Sequence, residues 1–429
     1  MWTVELSYQP EGIAYFQAIR DLPYPIWLDS QNSGRYDILV ADPCELFTAQ
    51  SQPFEVLSQI FSCDDSLDLP VPFAGGLVGL WSYDLARQIE TIREVPKSAY
   101  ALPDMLVGWY DWAIVIDHER QQTQLVSAHK HPGTEGQWPA LVQRLENISA
   151  QSLASFDCGA PHSNMTKDEY ADRFARIQGY IHAGDCYQVN LAQRFHMTFS
   201  GDPFAAYCHV REHTHVPFGA YVETPQGAVL SFSPEQFLAV SDRHVITKPI
   251  KGTTPRGTTP VEDDQLAQQL LTSQKDHAEN VMIVDLLRND ISRVCQAHSV
   301  RVPHLFTLER FANVHHLVST VEGVLAEGKT VFDLLAACFP GGSITGAPKC
   351  RVMDIIEELE PDRRSIYCGS IGYIGYDGRM DTSICIRTML CENNTLYAWA
   401  GGGIIADSQV ETEYQETYAK ISNLFAALK

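Results

Sequence analysis

An α+β fold is what this chain predicts, and two observations carry it. Strand-like stretches come in runs rather than in strict alternation with helices. A small, polar, weakly periodic segment at 149–164 separates a strand-rich first part from a second part that opens on a capped helix. The 429 residues suffice for two or three ordinary domains or for one body with a wide core.

In chain order, Tyr36–Val40 and Trp112–Ile116 read as strands, and the Gly75-Gly76-Leu77-Val78-Gly79 stretch among them marks a close backbone approach. After the 149–164 connection, Thr166 with Glu169 three residues on forms a capping box, and Tyr170, Phe174, Ile177 and Ile181 continue one helical face. Gly184-Asp185 turns the chain into a strand, Cys186–Phe195. There Tyr187, Val189 and Leu191 alternate with Gln188, Asn190 and Ala192, so one face is apolar and the other carries amides. Strands follow at Ala228–Phe232, Phe237–Val240 and His244–Ile250. Thr259-Pro260 opens a helix with proline at its first position, and Ser273 opens another to about Asp290. The last third reads as a helix, Pro348–Leu359, strands at Tyr367–Tyr376, Thr382–Leu390 and Leu396–Ala400, and a final helix from Glu411.

Composition narrows the function. The formal net charge of −22 repels nucleic acid and acidic membrane surfaces, so neither is expected as a partner, and an anionic small substrate needs a local cation. No run of apolar residues is long enough to span a bilayer, and the start lacks the pattern of a signal peptide. Eleven cysteines without Cys-x-x-Cys spacing fit reduced thiols in a cytoplasm.

Several constellations carry chemistry. Asp276 and Glu279 share one helix face, as do Glu413, Glu416 and Lys420 on the final helix. Brought together, the two faces would supply oxygen ligands for Mg²⁺; apart, each is a solvated charged surface. Pro340-Gly341-Gly342-Ser343-Ile344-Thr345-Gly346-Ala347-Pro348-Lys349 is a glycine-rich turn before a helix, either an anion site or an ordinary turn, and it lacks the spacing of a nucleotide P-loop. Lys251 lies between a strand end and a glycine, where desolvation could make it an amine nucleophile. Alternation puts Lys248 on the opposite face, so the two do not support each other. Gly401-Gly402-Gly403 after an apolar strand allows either a ligand's approach or a flexible strand exit. His213-Thr214-His215 and His315-His316 lack zinc spacing, and no Gly-x-Cys-x-Gly turn of a glutaminase is present.

The order of these motifs resembles that of the chorismate-utilising enzymes. Lys251 in its PIKGT setting, DHAENVMIVDLLRND at 276–290, PGGSITGAPK at 340–349 and AGGGIIADS leading to EYQET at 400–417 carry the likeness, which is specific from about residue 166 onward. Residues 73–80 with Tyr83-Asp84 match more loosely. The resemblance implies an α/β sandwich of two layered, mostly antiparallel sheets with helices outside. A β-rich region at 1–150 and a chorismate-binding region at 166–429 would pack as one body. It also implies chorismate as substrate and Mg²⁺ as cofactor. Glu279 and Glu416 match metal ligands, with Asp276 and Glu413 supporting through water. Thr345, Tyr367, Arg387, Gly401 and Lys420 match substrate-holding positions, His316 a histidine near the ring hydroxyl, and Glu235 a general acid/base.

Within the group, members that add water carry a lysine base where this chain has Gln188, and an amide cannot deprotonate water. Anthranilate synthases carry alanine where this chain has Lys251, whereas aminodeoxychorismate synthases carry lysine. The resemblance therefore implies amination of chorismate at carbon 4, an aminotransferase reaction on the 4-aminobenzoate and folate path. Ammonia would come from a separate glutaminase subunit. Ser30, Ser33-Gly34-Arg35-Tyr36 and Pro217-Phe218-Gly219 match a tryptophan pocket, with Leu28-Asp29-Ser30 departing from the usual Leu-Glu-Ser. The alternatives are an anthranilate synthase and a non-catalytic sensor of tryptophan or chorismate.

Overall fold

The computed structural model describes residues 1–49, 51–93, 100–146, 148, 151–311 and 314–429. They form two antiparallel sheets of thirteen and ten strands. The larger runs from Trp2–Leu6 through Tyr36–Val40, Ile26–Asp29, Phe218–Thr224, Gly227–Ser233 and Thr388–Glu392 to Thr395–Ile404 and the long Gln188–Gly201. The smaller runs from Ile250–Pro255 through Val314–Val324, Gln236–Ser241, Met380–Ile384, Ser370–Gly375 and Gly76–Trp81 to Glu45–Thr48. Residues before 150 thus supply strands to both sheets.

The period of two in the sequence decides which core each side chain enters. Ile38 and Val40 join a core shared by both sheets, while Leu39 between them enters a second core under the helices on the outer face. Ala113 and Val115 against Ile114 and Ile116 repeat the division. A one-residue slip would exchange the two sets, each aliphatic side chain carrying about 1.5–3 kcal/mol of burial. Ile13–Ile19, Pro203–Arg211 and Val410–Ala427 cover the larger sheet. Pro53–Ile60, Gln274–Ser292 and Val331–Cys338 cover the smaller. Lys167–Ala183 has both halves of its capping box and ends at Gly184 with φ 82°. With Lys349–Leu359 it packs on Val189 and Leu191.

The structure departs from the sequence reading at strand ends. Within 149–164, Phe156–Cys158 and His162–Ser163 pair with Gln188–Gly201 as short edge strands, which need no alternation to form. Ser149 and Ala150 lie outside the described residues. Tyr187 is not on the apolar face: the strand begins at Gln188 and the tyrosine is 71% exposed. The stretch His244–Ile250 splits into His244–Thr247 and Ile250–Pro255, since Pro249 has no N–H for the ladder. Tyr367–Tyr376 narrows to Ser370–Gly375.

Most consequential, Thr382–Leu390 is two strands in two sheets. Met380–Ile384 belongs to the smaller and Thr388–Glu392 to the larger, and the chain crosses between them at Arg387, whose φ is 51°. Gly227–Ser233 and Gln236–Ser241 make a parallel case, with Pro234-Glu235 at the crossing. The two crossings bind each other. Phe232 N–H donates to Arg387 O at 3.1 Å, Ile384 N–H to Glu235 O at 3.0 Å, and Ser233 Oγ to Ile384 O at 2.5 Å.

Candidate active site

A cavity of about 620 Å³ opens beside these crossings. Its wall includes Glu235, Lys251, Asp276, Glu279, His316, Tyr367, Arg387, Gly401, Glu416 and Lys420, which come from eight separate stretches of the sequence. Both sheets and two helices reach it.

Glu235 and Lys251 meet through a third residue. Ser343 Oγ donates to Glu235 Oε1 at 2.8 Å, and Lys251 Nζ donates to the Ser343 carbonyl at 2.8 Å. Burial pushes the Glu235 carboxyl above the ordinary range, opposed by the positive charge of Lys251 and the Ser343 hydrogen bond. Burial likewise pushes the Lys251 amine below its ordinary value, opposed by Glu235, Glu279 and Glu416. A carboxyl that holds its proton and an amine that sheds it are the states required of an acid and a nucleophile.

The cationic wall is Arg387 and Lys420. The Arg387 guanidinium has no carboxylate partner among the described residues, and burial lowers its proton affinity. Lys420 is paired, to Glu416 Oε1 at 2.6 Å, and donates to Gly401 O at 3.0 Å. His316 stands near Arg387. Burial first, then the charges of Arg387 and His315, bring its pKa down to about 4, so the ring is neutral, and its Nδ1 shares a hydrogen with Thr253 Oγ1 at 2.8 Å.

The acids come from two helices. Asp276 and Glu279 project from Gln274–Ser292, and Glu416 from Val410–Ala427. Burial raises Glu279, helped by the like charges of Asp276 and Glu413 and opposed by Lys251 and Lys275. Burial also pushes Glu416 up, but the positive charges of Lys420, Lys275 and Lys251 together leave the net shift downward. As they stand, no three metal-binding side chains among the described residues enclose an ion. Instead the Lys275 ammonium balances their charge, 3.8 Å from Glu279 Oε1 and 3.4 Å from Glu413 Oε1. Carboxylates from two helices, facing Lys275, Lys251 and Lys420, offer the oxygen donors that Mg²⁺ takes.

Three of the expected site residues stand off the cavity wall. Thr345 is fully buried, and its hydroxyl donates back to Gly341 O at 3.1 Å, so it holds the glycine-rich loop. Gln188 is fully buried beside Gly403, with neither amide atom partnered. Glu413 is 1% exposed and accepts from Ser408 Oγ at 2.7 Å. The helix N-terminus at Pro348 does not face the cavity either. Buried Lys349 pairs with Asp290 at 2.7 Å and donates to Cys338 O at 2.9 Å, which pins the loop with Ser343 and Ile344 on the wall instead. Asn190, Thr253, Lys275 and Trp399 also line it. The polar face of the Gln188–Gly201 strand signalled the first; nothing in the sequence pattern signals the others.

A second cavity, about 300 Å³, is lined by Asp29, Ser30, Gly34, Arg35, Tyr36, Pro217, Phe218 and Gly219, together with Tyr373 and Asp381. Ser33 is off its wall. The Asp29 carboxylate is already engaged, accepting from Arg211 Nε at 2.7 Å and Tyr207 Oη at 2.8 Å. Burial raises Asp381 to about 6.

All eleven cysteines are free thiols, and no helix among the described residues is long and apolar enough to cross a membrane.

Known proteins match this arrangement along nearly the whole chain. Aminodeoxychorismate synthase component 1 of Escherichia coli is 45% identical, over 97% of this chain and 95% of its own. Anthranilate synthase component 1 of Thermus thermophilus is 39% identical over 84% and 79%. The crystal structure of anthranilate synthase component I from Streptococcus pneumoniae superposes with a TM-score of 0.80 at 30% identity, covering 91% of this chain and 92% of its own. The chorismate binding enzyme profile spans residues 24–426, and the chain belongs to that family.

Proposed function

We propose that this chain aminates chorismate at carbon 4 to give 4-amino-4-deoxychorismate, with ammonia delivered by a glutaminase partner. The observation that carries the reading is Lys251, whose amine shares one cavity with Glu235 and with Arg387, which has no carboxylate partner among the described residues. The relatives named as component 1 support a partner component, and the 45% identity to an aminodeoxychorismate synthase supports this member of the family over its neighbours.

Chorismate is a dianion. Arg387, left without a carboxylate of its own, pairs with one carboxylate, and Tyr367 and Gly401 bound the ring. Glu279 and Glu416, with Asp276 and Glu413 behind them, would hold Mg²⁺, which would supply positive charge for the other carboxylate. The free Lys251 amine attacks carbon 2. Both ring double bonds shift, the carbon 4–oxygen bond breaks, and Glu235 gives its proton so that water leaves. Ammonia then bonds to carbon 4, both double bonds shift back, and the carbon 2–nitrogen bond to Lys251 breaks. Glu235 regains a proton from the incoming nitrogen. Two allylic displacements at opposite ends of one system replace a direct exchange at carbon 4. Neutral His316, held by Thr253, offers a hydrogen-bonding nitrogen toward the departing hydroxyl without adding charge.

The second cavity suits tryptophan, with Tyr373 and Phe218 as apolar walls and the Asp381 carboxylate as partner for its ammonium. Release of tryptophan on denaturing the purified chain, read by mass, tests this.

For the reaction, purified chain with chorismate, ammonium and Mg²⁺ should yield a product that keeps its enolpyruvyl group and gains nitrogen. Pyruvate and fluorescent anthranilate would assign it to anthranilate synthesis instead, and binding without any product would make it a sensor.

A further inference from the structure

We propose that Ser343 is the positioning residue of this reaction: its hydroxyl reserves one oxygen of Glu235 for the transferable proton, and its carbonyl turns the reacting lone pair of Lys251 into the cavity. The inference rests on the amination reading and adds a residue to it.

The geometry leaves little choice. A carboxylic acid bears its proton on one oxygen and accepts on the other. Glu235 Oε1 accepts the Ser343 hydroxyl at 2.8 Å, so the proton resides on Oε2. A free amine has two N–H groups and one lone pair. Lys251 spends one N–H on the Ser343 carbonyl at 2.8 Å, which directs the lone pair away from that carbonyl. One residue therefore sets the spacing and the orientation of acid and nucleophile together.

Ser343 can do this because its own position is over-determined without its hydroxyl. Ile344 O accepts from Asn190 Nδ2 at 2.8 Å and from Arg364 Nη1 at 3.1 Å, Thr345 Oγ1 closes on Gly341 O, and Lys349 anchors the loop to Asp290. A methyl on Gly342 would lie 2.4 Å from Leu286 Cδ2, so the loop is seated directly on the acid-bearing helix. Glu235 is fixed from the other side, its N–H donating to Ser233 Oγ at 3.1 Å. None of these bonds uses Ser343 Oγ, so its removal perturbs the acid and spares the loop.

The experiment is steady-state kinetics of Ser343→Ala and Ser343→Cys in the full chain with chorismate, ammonium and Mg²⁺, with thermal midpoints measured alongside. Loss of a hydrogen bond to an ionisable partner should lower kcat of S343A by roughly ten- to a hundredfold while KM for chorismate stays within about twofold. The alkaline limb of kcat/KM should move to higher pH, since the lost donor favours the carboxylate form of Glu235. S343C, with a weak S–H donor, should fall between. S343A with parental kcat, with only KM altered, or with its alkaline limb unmoved overturns the proposal. Should S343A fail to fold, S343C is decisive by the same limb. A parent that does not aminate chorismate, or E235Q with parental rate, brings down the amination reading and this inference with it; normal behaviour of those controls with an unaffected S343A removes this inference alone.

Discussion

The Lys275 ammonium, on one helix, lies 3.4 Å from the Glu413 carboxylate on another that is 138 positions away in the chain. Two acidic faces that a sequence can only display separately thus meet across the Lys275 ammonium. Losing one oxygen donor from such a set should be severe. Glu279→Gln and Glu416→Gln are each expected to reduce turnover at ordinary Mg²⁺ by at least about a hundredfold. Mg²⁺ titration by calorimetry should show weakened or absent binding in both, and near-parental rates and heats would take these residues out of the metal site.

Burial pushes the Lys251 amine below the ordinary lysine value, the direction that favours a nucleophilic amine. Lys251→Ala should lose amination by several powers of ten, and its peptide should carry no added mass after mixing with chorismate. The parent enzyme, quenched without ammonium, should show a chorismate-derived adduct on that peptide. A parent peptide of unchanged mass would argue for direct displacement by ammonia.

The pH profile follows from the signs of two shifts. Lys251 acts as the free amine, so activity rises as pH climbs through its lowered value. Glu235 acts as the protonated acid, so activity falls as pH climbs through its raised value. The profile of kcat/KM should therefore be bell-shaped. His316, brought down to about 4, stays neutral across the working range. Its replacement by Gln should lower the height of the bell and leave both limbs in place; a limb near neutrality that disappears in His316→Gln would show that the imidazole titrates with the reaction.

Much of the site was legible because motif order in this chain is specific. Lys251, Glu235, Arg387, Asp276, Glu279 and Glu416 could be named from that order and line one cavity, while Glu413 stands behind its wall. What was not legible has a common cause. Local pattern cannot see a strand that changes sheets: the apolar run at Thr382–Leu390 looks continuous, yet Arg387 sits at a left-handed kink between two sheets. Nor can it separate residues that face the cavity from those that hold the wall. Thr345 and Ser343 stand two apart in one motif, and the hydroxyl of the first bonds the loop while that of the second bonds Glu235. Lys275 reads as ordinary helix charge until the distant Glu413 is brought against it.

Arg387 shows where function costs stability. A half-buried guanidinium without a carboxylate partner among the described residues forfeits hydration that is not repaid until an anion arrives, and its φ of 51° adds backbone strain. Asparagine tolerates that conformation and carries no charge. Arg387→Asn should therefore raise the thermal midpoint of the ligand-free chain while weakening chorismate by about a hundredfold or more, the order of a buried charge-assisted pair. The parent, by contrast, should gain more in midpoint on adding chorismate than the variant does, because only the parent has an uncompensated cation to satisfy. Thermal melts of both proteins with and without chorismate read all of these at once. A variant that is less stable in the ligand-free state, yet still binds chorismate as tightly, would mean that Arg387 serves the crossing between the sheets and not the substrate.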